Sequence, residues 1–205
     1  MNDSEIRESF HKKMLRHQHA DAETLVLDEL GLMHGACRAD IAIVNGRLIG
    51  YEIKSEKDSL YRLKDQITAY NAIFDGVAII VTKRHHAAVR LSIPKHWGII
   101  LSTKGKRGGI NFSVRRKPKK NPHVKPMSVA QLLWRNEAAE ILYEIGAPKK
   151  LFKLPRRELY RHLSKQLPIE KLKTTVRSYL KKRANWRCRP QPSEGGDLFQ
   201  PTATS

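Results

Sequence analysis

Asp40, Glu52 and Lys54 are charged residues set into two otherwise apolar runs, Ala39–Val44 and Leu48–Lys54, that read as strands. Side chains alternate along a strand, so Glu52 and Lys54 emerge on one face. A carboxylate and an ammonium in an otherwise apolar sheet are costly unless paired or given a task. Asn45-Gly46 between the runs is a strong hairpin signal. A strict two-residue turn there would set Asp40 opposite Tyr51 and put Asp40 and Glu52 on opposite faces. A turn with Gly46 as a left-handed bulge shifts the register by one. Asp40, Ala42, Leu48, Gly50, Glu52 and Lys54 then share a face, and Ile41, Ile43, Ile49, Tyr51 and Ile53 share the other. Register follows the cleaner separation of polar from apolar, so the bulged hairpin is predicted, with Ala42 and Gly50 leaving room beside the acids. Two carboxylates with open space suit Mg²⁺ or Mn²⁺, whose shell water and a substrate phosphate complete. Such an ion eases deprotonation of a water and offsets charge on a phosphodiester. Lys54 would orient the attacking water or stabilise the growing negative charge.

The elements that must carry these residues are legible in outline. Ser4–His17 and Asp21–Leu30 read as helices, with Gly31 at a C-cap position, and Leu32–Ala36 as a short strand. After the hairpin, Asp58 reads as the N-cap of a helix to about Phe74, with Leu60, Leu63, Ile67, Tyr70 and Phe74 at helical spacing. Val77–Thr82 suits a buried central strand. A short helix at Pro94–Gly98, a strand Ile99–Ser102 and a last strand Ile110–Val114 follow. Beyond a basic, proline-punctuated stretch, Ser128–Ile145, Pro155–Leu167 and Pro168–Lys182 read as three helices. The division expected is 1–116 as core, 117–126 as basic linker, 127–188 as basic helical nucleic-acid-binding region and 189–205 as disordered tail.

With Asp40, Glu52-x-Lys54 and this order of elements in view, the chain resembles the PD-(D/E)xK nuclease superfamily, Ala39 standing at the name-giving proline. The resemblance implies an α/β, restriction-endonuclease-like α-β-β-β-α-β core with a mixed central sheet, here followed by a basic C-terminal helical extension. Gln66-x-x-x-Tyr70 on the next helix resembles the QxxxY motif of lambda-exonuclease and RecB-type nucleases, which implies that Gln66 helps order the site beside the metal. Glu29, before the sheet, stands where that superfamily often has a further metal-site acid. The string Gly50–Glu56 with Asp58, Leu60, Arg62, Leu63 and Gln66 is also similar to a family of stand-alone bacterial proteins with a helical C-terminal extension.

Other residues fit blander readings. His34 and Cys37 are too few for zinc. His85-His86 reads as a solvated pair in a loop or helix start. Trp97 and Trp134 read as core, and Trp186, among arginines, as a stacking candidate. Gly105, Gly108 and Gly109 lie among cations with no helix following, and GxxxxGK[ST] is absent, so ATP hydrolysis is not expected.

The net charge of +19 is unevenly spread: residues 1–103 hold 14 Lys/Arg against 13 Asp/Glu, residues 104–190 hold 25 Lys/Arg against five Glu. One-signed charge of that density points to a polyanion, DNA before RNA. Expected contacts are Arg62, Tyr70, Arg156, Arg157, Arg161, Arg177, Lys181, Lys182 and Arg183, with Lys165 and Lys173 on the same outer surface. No apolar run suggests a membrane span, and two distant cysteines, Cys37 and Cys188, suit a reducing cytoplasm. The expected function is therefore a Mg²⁺-dependent nuclease hydrolysing phosphodiester bonds of DNA. The alternatives are a catalytically silent nucleic-acid-binding module in a larger assembly, and a factor whose basic half binds an acidic partner. Neutralising about six phosphates would give a log–log salt slope of roughly −5 for binding.

Overall fold

A computed structural model describes residues 1–183. The hairpin that carries the acids is the middle of a six-stranded mixed sheet, ordered β1 to β6 as in the sequence. Its strands are β1 (Leu25–Leu32), β2 (Cys37–Val44), β3 (Leu48–Lys54), β4 (Gly76–Thr82), β5 (Gly98–Lys104) and β6 (Ile110–Arg116). β1, β2 and β3 pair antiparallel, β3, β4 and β5 parallel, and β6 antiparallel to β5. The two parallel steps need crossovers, and helices α3 (Leu63–Ile73) and α4 (Lys83–Ser92) supply them. Every residue of β4 is buried, as its unbroken apolar run requires.

One face of the sheet is covered by α1 (Asp3–Met14), whose Ile6 and Phe10 pack with Ile41, Ile43, Ile53, Ala78 and Ile80. A short α2 (Arg16–Ala20) follows it. The other face meets α3, α4 and four more helices, α5 (Pro126–Ala130), α6 (Arg135–Glu144), α7 (Arg156–Gln166) and α8 (Ile169–Lys182). Leu159, Leu163, Leu172 and Val176 join one apolar cluster with Tyr70, Phe74 and Val77, so sheet and C-terminal helices share an interior. No helix among the described residues is long and apolar enough to cross a membrane.

The fold is thus α/β with a mixed sheet and C-terminal helices, and several local expectations are corrected. Leu25–Leu30 is strand, not helix. Leu27 and Leu30 are both buried on the α3 side because Glu29, at φ 53, breaks the alternation between them; that irregularity imitates helical spacing. Leu32 ends β1, and Met33–Gly35 form a 3₁₀ turn where a strand was expected. The helix expected from Asp58 starts at Leu63, because the Asp58 carboxylate instead closes a turn by accepting Ser55 N–H at 2.7 Å. Pro94–Trp97 is a turn and Gly98 opens β5, α4 was not foreseen, and 128–145 is two helices rather than one.

Asp75 ties the C-terminal helices to the sheet. Its Oδ2 accepts Leu48 N–H at 2.9 Å, and its Oδ1 lies 2.9 Å from Lys173 Nζ. Lys173 is buried, not on the outer surface as expected. Removing it leaves Asp75 with Leu48 N–H and the more distant Arg177 guanidinium at 3.8 Å, which costs on the order of 3 kcal/mol. Lys173→Ala is therefore expected to lower the unfolding free energy extrapolated from urea by that amount, while sheet and helices still unfold in one transition; two separated transitions would show that the shared interior is not cooperative.

Candidate active site

Pairing Ile41 with Tyr51 and Val44 with Leu48 is the register that puts Asp40 and Glu52 on one face. The means differ from the expectation. Gly46 is not among the left-handed glycines, which are Gly35, Gly108 and Gly146. The shift comes from a three-residue loop, Asn45-Gly46-Arg47, in which Arg47 N–H donates to Asn45 Oδ1 at 3.0 Å. Nor is Gly50 an open space: a Cβ there would lie 2.8 Å from the Phe74 ring, which fills the room beside the acids.

Glu52 is 1% exposed, and its charge is met entirely by side chains. Lys54 Nζ lies 2.9 Å from its Oε1, and Gln66 Nε2 donates to the same oxygen at 2.5 Å. The Tyr70 hydroxyl donates to Oε2 at 2.6 Å. Gln66 and Tyr70 are one turn apart on α3, so that a single helix face delivers both donors. The Tyr70 oxygen also accepts Asp40 N–H at 3.3 Å, joining the two acids' strands through one side chain. Asp40 itself stands where the β2–β3 ladder ends, and its Oδ2 accepts Ile53 N–H at 2.6 Å.

Glu29 and Asp40 would be cross-strand partners, but the β1–β2 ladder skips them: Asp28 pairs with Ile41, then Leu30 with Ala39. Ala39 and Ala42 face the same core, as do Leu27 and Leu30, so both strands break alternation at the same rung. Into that break reaches Arg7 from α1, a residue the sequence reading missed. Its guanidinium lies 2.5 Å from Glu29, 3.0 Å from Asp3 and 3.6 Å from Asp40 Oδ1, and donates to Asp40 O at 3.2 Å. The available signal was a basic residue beside buried Ile6 and four residues after Asp3.

The electrostatics follow from crowding. Burial first, then repulsion from Glu52, push the Asp40 carboxyl up to about 8, against the pull of Ile53 N–H and Arg7. Burial also raises Glu52, opposed by Lys54, Tyr70 and Gln66. Burial and the two acids lift Tyr70 well above its ordinary range, which keeps it a proton donor. Cys37 is pushed up to about 11 by burial and the same acids, leaving its thiol unreactive. Gln66 Oε1 is buried without a hydrogen-bond partner. Among the described residues no group of three or more His, Cys, Asp or Glu is placed to hold a metal. Two crowded carboxylates and an unpartnered amide oxygen are nonetheless hard donors of the kind Mg²⁺ takes, waters and phosphate completing its shell.

The expected nucleic-acid contacts divide. Arg62 is exposed at the N-cap of α3, and Arg156 and Arg157 are exposed on α7. Arg161 pairs with Glu158 at 2.8 Å, Lys181 with Glu23 at 3.4 Å, and Lys182 lies over the Tyr179 ring. Tyr70 is corrected: at 0% exposure it cannot touch nucleic acid, and its hydroxyl serves Glu52. Arg183 is corrected too, being buried with both arms on Glu137 and Leu132 O. Arg177 is half-buried beside Asp75 rather than turned outward. Trp97 is core as expected, whereas Trp134 is 46% exposed. Trp186, Cys188 and the tail 189–205 lie outside the described residues.

A family model described as Bacteriophage P4 protein cII matches residues 2–189. Protein cII of Enterobacteria phage P4 is 24% identical over 125 residues, 61% of this chain and 47% of that protein. The match thus spans about half the length of that relative. Among solved structures, a protein of unknown function from Silicibacter pomeroyi superposes with a TM-score of 0.43 at 16% identity, over 70% of this chain and 93% of that one.

Asp40 carries a testable pH signature. With its pKa raised from 3.8 to about 8, the folded state keeps a proton that the unfolded chain releases from about pH 4 upward. Stability therefore falls as pH rises through that window and levels off above 8. Asn cannot ionise but still accepts from Ile53 N–H. In EDTA, the melting temperature of Asp40→Asn relative to wild type is expected to climb by several degrees between pH 4.5 and 8.5. A pH-independent difference would show that Asp40 titrates in its ordinary range.

Proposed function

The chain belongs to the bacteriophage P4 protein cII family, and from the site it carries we propose that it is a Mg²⁺- or Mn²⁺-dependent nuclease that hydrolyses phosphodiester bonds of DNA. One observation carries the reading: Asp40 and Glu52, twelve residues apart, lie close enough to repel each other, and Lys54 and Gln66 meet one oxygen of Glu52. An ordinary ion pair on a sheet face explains Glu52 and Lys54, but not a second acid forced beside them against its own repulsion. The PD-(D/E)xK resemblance supports the same roles.

Asp40 and Glu52 are the residues that would hold the metal, and Glu29, joined to Asp40 through Arg7, would be a further candidate. When bound, the ion supplies positive charge against the phosphodiester and makes a neighbouring water easier to deprotonate. Tyr70 and Gln66 lock the Glu52 carboxylate in one orientation, which fixes its position to the tenths of an ångström that such chemistry needs. Lys54 offers three N–H bonds, of which Glu52 takes one. The others are available to orient the attacking water or to stabilise charge on the phosphoryl oxygens as it develops. Arg62, exposed one turn before Gln66, is placed to meet a phosphate, and the exposed cations Arg156, Arg157, Lys165 and Lys182 would position the strand without reading its sequence.

A second reading, a nucleic-acid-binding module without turnover, has one observation in its favour: Arg7 already neutralises Glu29 and reaches Asp40. The discriminating experiment is cleavage of linear, nicked and single-stranded DNA with Mg²⁺ or Mn²⁺. Asp40→Ala, Glu52→Ala and Lys54→Ala are each expected to lower the rate at least ~100-fold while DNA binding persists. Binding with no cleavage by the wild-type chain under any divalent ion would favour the silent module. Metal binding must also displace the proton held by Asp40 at about 8. Mg²⁺ affinity is accordingly expected to rise about tenfold per pH unit up to that value, with proton release visible by calorimetry in two buffers.

A further inference from the structure

Away from the acids, a cavity of about 330 Å³ opens between the β1–β2 turn and helices α5 to α7, lined among others by His34, Trp134, Arg135, Arg156, Tyr160 and Arg183. That volume is at the lower end of what small-molecule sites enclose. We propose that this cavity binds one nucleotide through its phosphomonoester, either free in solution or at the end of a nucleic-acid strand.

Its charge is the first observation. Three arginines and a histidine line the cavity, and among the described residues no acid does. Arg183 is committed to Glu137 behind the wall. Arg135 spends a single nitrogen on Phe152 O and Leu154 O, which leaves its other N–H bonds available. Arg156 makes no hydrogen bond or ion pair with the described residues. Partial burial first, and then the Arg156 charge, hold His34 below its usual pKa. An anion placed between them reverses that repulsion and recruits a proton to His34, so a dianionic phosphate is matched by two positive groups.

Aromatic surface is the second. The Trp134 indole is 46% exposed, and the Arg183 guanidinium, 4.4 Å from its ring centroid, backs it. Tyr160 is fixed by donating to Leu133 O at 2.7 Å, and its ring stacks on His34 with centroids 5.5 Å apart at 25°. Tyr160 and His34 are thus held beside Arg135 and Arg156, so the wall that would meet a phosphate is fixed before a ligand arrives. The backbone is also held at a cost to make this wall: Met33 and His34 have φ of 49° and 60°, conformations that disfavour residues with a Cβ. The cavity lies on the hairpin that carries Glu29 and Asp40. Three rungs separate that pair from the last one, Leu32 with Cys37, or roughly 10 Å along the strand. The proposal rests on the nucleic-acid reading for its choice of ligand, but its test needs no cleavage.

Binding is measured in EDTA, by calorimetry, for dAMP and for short single-stranded oligonucleotides that carry either a terminal phosphate or a hydroxyl, at the 5′ and at the 3′ end. The phosphorylated form is expected to bind at least about tenfold tighter than its hydroxyl counterpart. Arg156→Gln, at an exposed position, is expected to abolish the difference, with unchanged melting as the control for folding. The His34 imidazole resonance should titrate about one unit higher in the bound wild type and not in Arg156→Gln. Tight dAMP binding identifies a free nucleotide as the ligand; discrimination confined to oligonucleotides identifies a strand end. Equal affinity for phosphate and hydroxyl ends together with no dAMP binding, or discrimination that survives Arg156→Gln, overturns the proposal. Discrimination without any DNA cleavage would remove the nuclease reading and leave this site standing.

Discussion

A carboxylate with almost no access to water fixes more of this structure than any other group. Glu52 must be met by donors, and each donor ties down an element. Lys54 sets the end of β3, Gln66 and Tyr70 set the rotation of α3 on the sheet, and the Tyr70 oxygen reaches across to the backbone of Asp40. Phe74, one turn further along the same helix, then lies on Gly50. A helix turned to satisfy Glu52 is thereby turned to close the apolar interior as well. Site and core are one packing problem here.

How much of this was readable in the residues depends on whether a signal was local. The hairpin register was readable, because polar and apolar faces of β2 and β3 separate cleanly in only one alignment. Gln66 stood out through its likeness to the QxxxY motif, and in the fold it donates to Glu52. Arg7 was not, since nothing in α1 alone says that its neighbour in space is Glu29. β1 was misread for a physical reason: Glu29 interrupts the strand, and Leu27 and Leu30 then fall on one side at a separation that suggests a helix. α4 escaped because only His85 and Val89 of its ten residues are buried, which leaves little periodicity to detect.

The basic half teaches a different lesson. A count of positive residues says that a polyanion is wanted, but not which of them are free to meet it. Lys173 and Arg183 are spent on Asp75 and Glu137, inside the protein, where they hold α8 against the sheet and against α6. The acids that neutralise them are isolated in sequence, and only the tertiary fold brings them together. What remains exposed is a sparser set, Arg156 and Arg157 among them, grouped at the start of α7 near the cavity that Trp134 borders.

The break in β1 and β2 has a geometric meaning of its own. Asp28 with Ile41, and Leu30 with Ala39, would already make a regular ladder if nothing stood between them. Glu29 and Asp40 are a spare step inserted into both strands at the same height. Excising one of them would slide half a strand out of phase with its core, whereas excising both would restore plain alternation along both strands. The apolar pattern of the two strands does not require the step on which the acids stand; what that step adds is Asp40, with its own ties to Ile53 N–H and to the Tyr70 hydroxyl.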